Sequence, residues 1–151
     1  FMETVRVVHA DLSCRNVLLT RFSEEDPEQT SVKITDFGLA LVLKPDTDSE
    51  CRKQPIPTRW CAPETVADSK FSHRSDVWSM GATLWEFFAN GETPWVNVQK
   101  RNDVAVRLKS LKEGVAEGAV EDFSEDFPAP EGCSPATHAI ILSCLVVDEM
   151  A

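Results

Sequence analysis

Short apolar runs separated by polar segments fill the first part of the chain. The runs rich in β-branched residues are VRVVHA (5–10), NVLL (16–19) and SVKI (31–34). An acidic segment that contains a proline, SEEDPEQT (23–30), separates the last two runs. The pattern predicts short β-strands, the last two joined by an acidic loop. Residues 36–63 show little periodicity and contain four prolines, which predicts a long loop of a kind that is usually functional.

Helical spacing of apolar residues appears after this loop. Ser75 is a predicted N-cap, and Asp76 suits the positive end of the helix macrodipole. Asn90 and Gly91 are expected to end the helix in a left-handed C-cap. The stripe carries two Trp and a Phe and predicts a central buried helix; its members are Val77, Trp78, Gly81, Leu84, Trp85 and Phe88.

Two more helices are predicted from the remaining apolar positions. One runs from about Asp103, with Gly114 as its terminator, and has Val104, Leu108 and Leu111 on one face. The other begins at Ser134 and Pro135, an N-cap followed by proline at the first helical position. Its inward-facing residues are expected to be Ile140, Ile141, Cys144 and Leu145.

Composition places the chain among globular proteins. It has 151 residues, of which 42% are hydrophobic and 26% charged. It starts at Phe1 rather than Met and stops at Ala151 within an apolar-rich stretch, so a fragment of a larger protein is expected. The net charge of −10 argues against nucleic acid or an anionic membrane as partner, because both favour basic surfaces.

The cysteine content bears on the compartment. The five cysteines are odd in number and form no C-x-x-C pair, which argues against a disulfide framework and against a zinc site. A reducing compartment is therefore predicted. The sequence also contains no apolar run of the roughly 18 residues that a membrane span requires.

Polar residues interrupt the apolar runs near the N-terminus in a pattern that suggests chemistry. Asp11, Arg15 and Asn16 lie between two such runs, and Asp36 follows the third, directly before Phe37 and Gly38. Singly, an Asp can cap a turn and an Asn can satisfy loop backbone. Together, two separated acids and an amide are what phosphoryl transfer requires. One carboxylate orients and deprotonates a hydroxyl, while the other, with the amide oxygen, holds magnesium against nucleotide phosphates.

Four ordered motifs resemble the C-terminal lobe of a protein kinase. They are H-x-D-L-x-x-x-N (9–16), DFG (36–38), APE (62–64) and SDVWSMGATLWE (75–86). The resemblance covers residues 1–151 as one kinase-domain segment without the N-terminal lobe. It implies an α+β, protein-kinase-like fold, mainly α-helical, with short strands around the catalytic loop. Because no Gly-rich loop and no strand-borne Lys precede these motifs, the chain alone is expected to be inactive.

The resemblance implies a role for each polar residue of the motifs. Asp11 would be the catalytic base, and Arg15 would neutralise the transferred phosphoryl group or pair with Asp11. Asn16 and Asp36 would ligate Mg²⁺, and Leu18 would form the floor under the adenine of ATP. ATP and Mg²⁺ are thus the implied cofactors.

Four further residues are implied to support the site rather than to react. His9 and Phe37 resemble members of the apolar column that aligns an active kinase, although His9 is also explained as a hydrogen-bonded core histidine. Asp76 would accept hydrogen bonds from the catalytic-loop backbone. Glu64 would pair with an Arg beyond the last helix, for which this chain has no candidate.

The finer pattern is similar to the tyrosine kinase branch. Ser13 stands where serine/threonine kinases usually carry Lys, and Arg15 stands where tyrosine kinases carry Arg. PTRWCAPE (57–64) resembles the tyrosine kinase substrate loop, so Pro57, Arg59 and Trp60 are expected to shape a shelf for a phenol ring. A tyrosine-containing protein substrate is implied, without contact to nucleic acid or membrane. The implied location is the cytoplasm or the cytoplasmic portion of a membrane receptor.

One departure from the family pattern concerns regulation. Ala10 stands where kinases usually carry an Arg that binds a phosphate on the activation loop, and the chain contains no Tyr. A loop ordered by packing is expected, with Leu41, Val42 and Leu43 as anchors. The alternative function is a pseudokinase, a non-catalytic scaffold or allosteric partner. Retention of Asp11, Asn16 and Asp36 favours the enzyme.

Overall fold

The computed structural model describes residues 1–115 and 122–147. Strands and helices follow one another in the mixed order expected for an α+β chain. The strands are β1 (Val7–Val8), β2 (Val17–Arg21), β3 (Ser31–Ile34), β4 (Leu41–Val42), β5 (Ser49–Cys51) and β6 (Lys70–Ser72). The helices are α1 (Pro63–Asp68), α2 (His73–Phe88), α3 (Arg101–Val115) and α4 (Pro135–Cys144).

The strands of the described ranges pair as antiparallel two-stranded ribbons. β2 and β3 form the predicted pair, joined by the acidic segment, with Val17 opposite Ile34. β1 pairs with β4, and β5 pairs with β6. The segment 36–63 is therefore more ordered than the predicted loop, because two of its parts form strands against residues on either side of it.

Helix α2 begins three residues earlier than predicted. Its N-cap is Ser72, whose hydroxyl accepts from the Ser75 N–H, while the Ser75 hydroxyl accepts from the Ser72 N–H. Ser75 is thus the second half of a capping box and not the N-cap. At the other end, Asn90 and Gly91 both have positive φ, and the Gly91 N–H donates to the Glu86 carbonyl at 2.8 Å, as the sequence predicts for a left-handed cap.

The main core is aromatic and centres on α2. Trp78 and Trp85 of α2 are buried and meet Phe123 and Phe127 edge-to-face, with ring centroids 5.1 and 5.9 Å apart. Trp95 packs on the same two phenylalanines. Val77, predicted to belong to the stripe, is half-exposed instead. Edge-to-face pairs of this kind add directional stabilisation to the burial of the rings, so α2 is held rigidly.

Helices α3 and α4 complete this core. The end of α3 and the buried face of α4 differ from what the sequence predicted. Val104, Leu108 and Leu111 are buried as predicted, but α3 continues through Gly114 to Val115, so Gly114 does not end it. A helical glycine costs roughly 1 kcal/mol relative to Ala, a penalty that the buried stripe of α3 offsets. On α4, Ser134 is the N-cap as predicted.

The inward face of α4 is narrower than predicted. Ile141 and Leu145, one turn apart, are buried, whereas Ile140 is 59% exposed because it lies about 100° away around the helix. Gly81 of α2 makes the contact between α2 and α4 possible. A Cβ on Gly81 would lie 2.7 Å from the Cys144 Cβ, so the approach requires glycine.

A second, smaller apolar cluster joins the strand pair β1–β4 to β6. It consists of Val8, Ala10, Leu41, Leu43 and Phe71, with Ile56 against it, and is called the loop cluster below. Val42, predicted to be an anchor, is 71% exposed, because successive residues of a strand point to opposite faces. No helix in the described part of the chain is long and apolar enough to cross a membrane.

Candidate active site

The segment 9–16 is fixed to the first turn of α2 by backbone hydrogen bonds. The Asp76 carboxylate accepts from the His9 N–H at 2.6 Å and from the Ala10 N–H at 2.9 Å. Burial raises the pKa of Asp76 above its ordinary value, and these two N–H donors oppose the shift. Asp76 therefore lies beneath the backbone of segment 9–16 and accepts two of its N–H groups.

His9 is fully buried and acts through its ring. Nε2 lies 3.0 Å from the Thr35 carbonyl oxygen and Nδ1 lies 3.3 Å from the Asp11 nitrogen, which fits a neutral imidazole that donates from Nε2. Its ring centroid is 4.7 Å from that of Phe37. His9 and Phe37 are thus in contact, as members of one apolar column would be.

Asp11, Arg15 and Asn16 lie together. Arg15 Nη2 donates to Asp11 Oδ1, and Asn16 Nδ2 donates to Asp11 Oδ2 at 3.1 Å and to the Asp11 carbonyl at 2.7 Å. Both carboxylate oxygens are held, yet each keeps a lone pair for a further donor. Because the Asn16 Nδ2 protons point at Asp11, its Oδ1 remains as the acceptor of that amide.

Asp36 follows strand β3, at the end of the hairpin where Asn16 precedes strand β2. The Thr35 N–H donates to the Asn16 carbonyl at 2.9 Å, so Asp36 follows directly after the residue that pairs with Asn16. Asp36 has a left-handed backbone with φ of 61° and accepts from the Gly38 N–H. A Cβ at Gly38 would lie 3.1 Å from Asp36 Oδ1, so the glycine leaves room for the carboxylate.

Asn16 and Asp36, each with a side-chain oxygen able to bind a cation, thus lie at the same end of the β2–β3 hairpin. Within the described ranges, no group of three or more His, Cys, Asp or Glu could hold a metal ion. A hard cation that takes only two protein ligands, with the rest from phosphates and water, fits this donor set. Leu18, on β2 beside Asn16, is 52% exposed and so presents an apolar surface next to these donors.

The segment that carries Pro57, Arg59 and Trp60 borders a cavity of about 430 Å³ beside Asp11. Residues 58–60 form a short 3-10 helix. Trp60 Nε1 donates to Glu86 Oε2 at 2.8 Å, and the Arg15 guanidinium carbon lies 5.9 Å from the centroid of the Trp60 ring. The predicted shelf therefore contacts Arg15, which in turn binds Asp11.

Arg59 holds the neighbouring loop. Its two Nη atoms donate to four backbone carbonyls, at 2.7 to 3.2 Å, of Pro94, Trp95, Val98 and Gln99. The Trp95 Nε1 donates in return to the Arg59 carbonyl at 3.0 Å. Arg59 thus contributes to the shelf by fixing its support, and both Nη atoms of its guanidinium donate to this loop.

Two residues that contribute here, Glu86 and Arg101, carried no role in the sequence argument. Glu86 Oε2 accepts from both the Cys14 N–H and the Trp60 Nε1, and so links the two segments to α2. Arg101 binds Thr58 at the mouth of the cavity. A carboxylate near the end of an apolar helix, as Glu86 is, signals that some partner is needed, but the sequence does not indicate which one. Glu64, predicted as support, is buried in the first turn of α1.

Comparison with known proteins agrees with this geometry. The sequence matches the family described as protein tyrosine and serine/threonine kinase over residues 1–150. It is 38% identical to the activated Cdc42 kinase Ack of Drosophila melanogaster and 37% identical to the tyrosine-protein kinase sid-3 of Caenorhabditis elegans. It is 36% identical to the human ephrin type-A receptor 8. Each match covers 95% of this chain but only 10–12% of the relative's length. The chain belongs to the protein tyrosine and serine/threonine kinase family.

Proposed function

We propose that this chain supplies the catalytic loop, metal ligands and substrate shelf of a protein kinase that phosphorylates tyrosine. The observation that carries the proposal is the position of Asp11. Its carboxylate is held by Arg15 and Asn16 at the edge of the cavity that the Trp60 segment borders. A tyrosine ring in that cavity would bring its hydroxyl to Asp11.

Asp11 orients the hydroxyl and takes its proton. The two hydrogen bonds from Arg15 and Asn16 fix the carboxylate in one orientation, so no reorganisation is needed when the hydroxyl arrives. Arg15 carries a permanent positive charge beside Asp11 and lowers the energy of negative charge that develops there. The Arg15 guanidinium also contacts the Trp60 ring, so the position of this positive charge depends on the position of the shelf.

Asn16 and Asp36 would hold Mg²⁺ through their side-chain oxygens, and Leu18 would meet the adenine ring. When bound, ATP and Mg²⁺ supply the γ-phosphoryl group and neutralise part of its charge. The position of Asn16 and Asp36 at the same end of the hairpin, where the Thr35 N–H donates to the Asn16 carbonyl, supports this assignment.

Acceptor choice tests the proposal. A protein that joins this segment to a nucleotide-binding lobe should phosphorylate peptides in which tyrosine is the acceptor. Matched peptides with Ser or Thr at the same position should react at least tenfold more slowly, because a short hydroxyl does not reach Asp11 from the Trp60 shelf. Phosphorylation dominated by Ser or Thr would contradict the tyrosine assignment, and the isolated chain serves as the control expected to be inactive.

The alternative is a pseudokinase that acts as a scaffold or allosteric partner. Its discriminating feature is the absence of phosphoryl transfer under conditions in which ATP and Mg²⁺ bind. The organised hydrogen bonds of Asp11, Arg15 and Asn16 favour the enzyme, because a scaffold has no chemical need for a buried base held in one orientation. The five free cysteines of the chain agree with the proposed reducing, cytoplasmic location.

A further inference from the structure

Arg6 precedes strand β1 and binds the turn that follows strand β4. Its Nη2 donates to the carbonyls of Lys44, at 2.6 Å, and of Thr47, and its Nε lies 3.4 Å from the carbonyl of Leu43. The Leu43 N–H donates in return to the Arg6 carbonyl at 2.8 Å. Arg6 is thus bonded, through its backbone and its side chain, to three residues that lie 37 to 41 positions later in the chain.

The acceptors of this guanidinium are all backbone carbonyls. The Lys44 carbonyl also accepts from the Thr47 N–H at 3.1 Å and from the Thr47 hydroxyl at 3.3 Å, so it closes the turn. No carboxylate of the residues that the structure describes forms an ion pair with Arg6. Carbonyl oxygens that lie around one point repel one another unless a positive group stands between them. The guanidinium supplies that group and, because it is charged, bonds to them more strongly than a neutral donor would.

The backbone conformation of Arg6 indicates that its side chain is needed at this position. Arg6 has a φ of 56°, in the left-handed region that glycine adopts without cost and that disfavours a residue with a Cβ. Its N–H donates to the Glu3 carbonyl at 2.9 Å, so the left-handed residue ends the turn before β1. An unfavourable backbone conformation persists where surrounding contacts over-determine it, and here the contacts are those of the guanidinium.

These contacts join the two parts of the proposed site. The turn 43–47 lies within the segment 36–63, which runs from the DFG motif to the shelf. Strand β1, directly after Arg6, leads into the segment 9–16 that carries Asp11. Arg6 therefore stands at the start of one part and binds the other.

We propose that Arg6 is a positioning residue, whose guanidinium orders the segment 36–63 by binding the carbonyls of the turn 43–47. Ala10, where the family pattern has an arginine that binds a phosphate, lies in the apolar loop cluster and offers no charge. The arginine that orders this segment is thus located before β1, and its ligands are carbonyls of the segment itself. The consequence for the reaction rate rests on the proposed function, whereas the ordering of the segment does not.

Hydrogen exchange on the 151-residue chain tests the ordering without any phosphoryl transfer. Arg6→Gly is the informative variant, because glycine accepts the left-handed backbone and only the side chain is lost. The amides of Leu43 and Thr47 donate within this contact and should exchange about tenfold faster, as expected when charge-assisted hydrogen bonds are removed. The amides of α2 should keep their rates. Exchange of Leu43 and Thr47 within about twofold of the original would overturn the proposal.

Chemical rescue distinguishes the charge from the packing of the side chain. Guanidinium chloride at about 50 mM, far below denaturing concentrations, should slow the exchange of Thr47 in Arg6→Gly, because the ion can occupy the space that the side chain left. Sodium chloride at the same concentration should not, and equal effects of the two salts would overturn the role of the charge. Arg21→Ala is the matched control and should leave both amides unchanged, since Arg21 donates to the Gln29 side chain. An increase in Arg21→Ala equal to that in Arg6→Gly would also overturn the proposal.

The rate of the proposed reaction tests whether this order positions the site. In a protein that joins this segment to a nucleotide-binding lobe, Arg6→Gly should lower kcat for a tyrosine peptide by about tenfold and leave the affinity for Mg²⁺-ATP unchanged. Guanidinium should restore part of kcat. Faster exchange with an unchanged kcat would overturn the positioning role. If the unaltered protein transfers no phosphoryl group although the exchange results are as expected, the proposed function fails while the ordering by Arg6 is supported.

Discussion

The Arg15 guanidinium carbon lies 5.9 Å from the centre of the Trp60 ring while the same side chain binds the Asp11 carboxylate. Two segments more than forty positions apart in sequence thus meet through one cation. Trp60 is fixed in turn by its Nε1 bond to Glu86. The position of the Trp60 segment relative to Asp11 therefore depends on the indole as much as on the arginine.

Replacing Trp60 by Phe should weaken this connection without removing the ring. The variant loses the hydrogen bond to Glu86 and the stronger cation–π partner, so the free energy of unfolding should fall by about 1–2 kcal/mol. Urea unfolding followed by circular dichroism measures the change. Phe87→Leu on the exposed side of α2 is the control and should stay within about 0.5 kcal/mol. A Trp60→Phe variant as stable as the control would show that the contact between Arg15 and Trp60 does not contribute to the free energy of unfolding.

Substitutions of Asp36 and Asp11 should have different effects on ATP turnover and on ATP affinity. In a protein that carries this segment with its nucleotide-binding lobe, Asp36→Asn should abolish Mg²⁺-dependent ATP turnover and weaken binding of Mg²⁺-ATP. Asp11→Asn should lower the rate by about 100-fold or more while nucleotide affinity stays largely intact, because the proposed role of Asp11 concerns the acceptor hydroxyl and not the nucleotide. Calorimetric titration with Mg²⁺-ATP supplies the affinities. An equal loss of ATP affinity in both variants would refute this division of roles.

Cys14 should react slowly with alkylating reagents until the solution is strongly alkaline. Burial first, and then the charge and hydrogen bond of Glu86, raise the pKa of the Cys14 thiol to about 12. Only the thiolate is nucleophilic, so at pH 8 its rate should be far below that of the exposed Cys51 and should rise about tenfold per pH unit. Iodoacetamide labelling mapped by mass spectrometry measures both sites in one sample.

Glu86→Gln should accelerate the labelling of Cys14, since it removes the anion that opposes thiolate formation. Glu92→Gln, an exposed acid beyond the end of α2, is the matched control and should leave the rate unchanged. Should both variants label Cys14 at the original rate, burial alone would account for its raised pKa.

The segment after Asp36 should hold its shape without phosphorylation. Leu41 and Leu43 are buried in the loop cluster beside Ala10, and Arg6 donates to the carbonyls of Lys44 and Thr47. Ala10 stands where the family pattern has an arginine that binds a phosphate on this segment. Complete phosphatase treatment of an active parent should therefore leave its rate unchanged, whereas Arg6→Ala should lower it. A tenfold or greater fall on dephosphorylation, mapped to Thr47 or Ser49, would contradict this mechanism.

Local sequence signals predicted the buried face of α3 and most of that of α2, because helical periodicity depends on neighbouring residues. The predictions that Val42 and Ile140 are buried were wrong. In a short element the sequence does not show which face the core will cover, so an apolar residue is easily assigned to the wrong side. The N-cap of α2 was displaced because Ser72 and Ser75 cap each other reciprocally. The roles of Glu86 and Arg101 depend on partners far away in sequence, at Cys14 and Thr58, which spacing alone does not reveal.

The two carboxylates that hold segment 9–16, Asp76 and Glu86, stand ten residues apart on the same helix, a separation of about 15 Å along its axis. One receives the N–H groups of His9 and Ala10, and the other receives that of Cys14. Because segment 9–16 is hydrogen-bonded to α2 at two separate positions, it can neither rotate nor shift relative to this helix without breaking a hydrogen bond. Because Asp76 and Glu86 both belong to α2, a displacement of this helix would move both ends of segment 9–16, with Asp11 between them, together with Trp60, which Glu86 also binds.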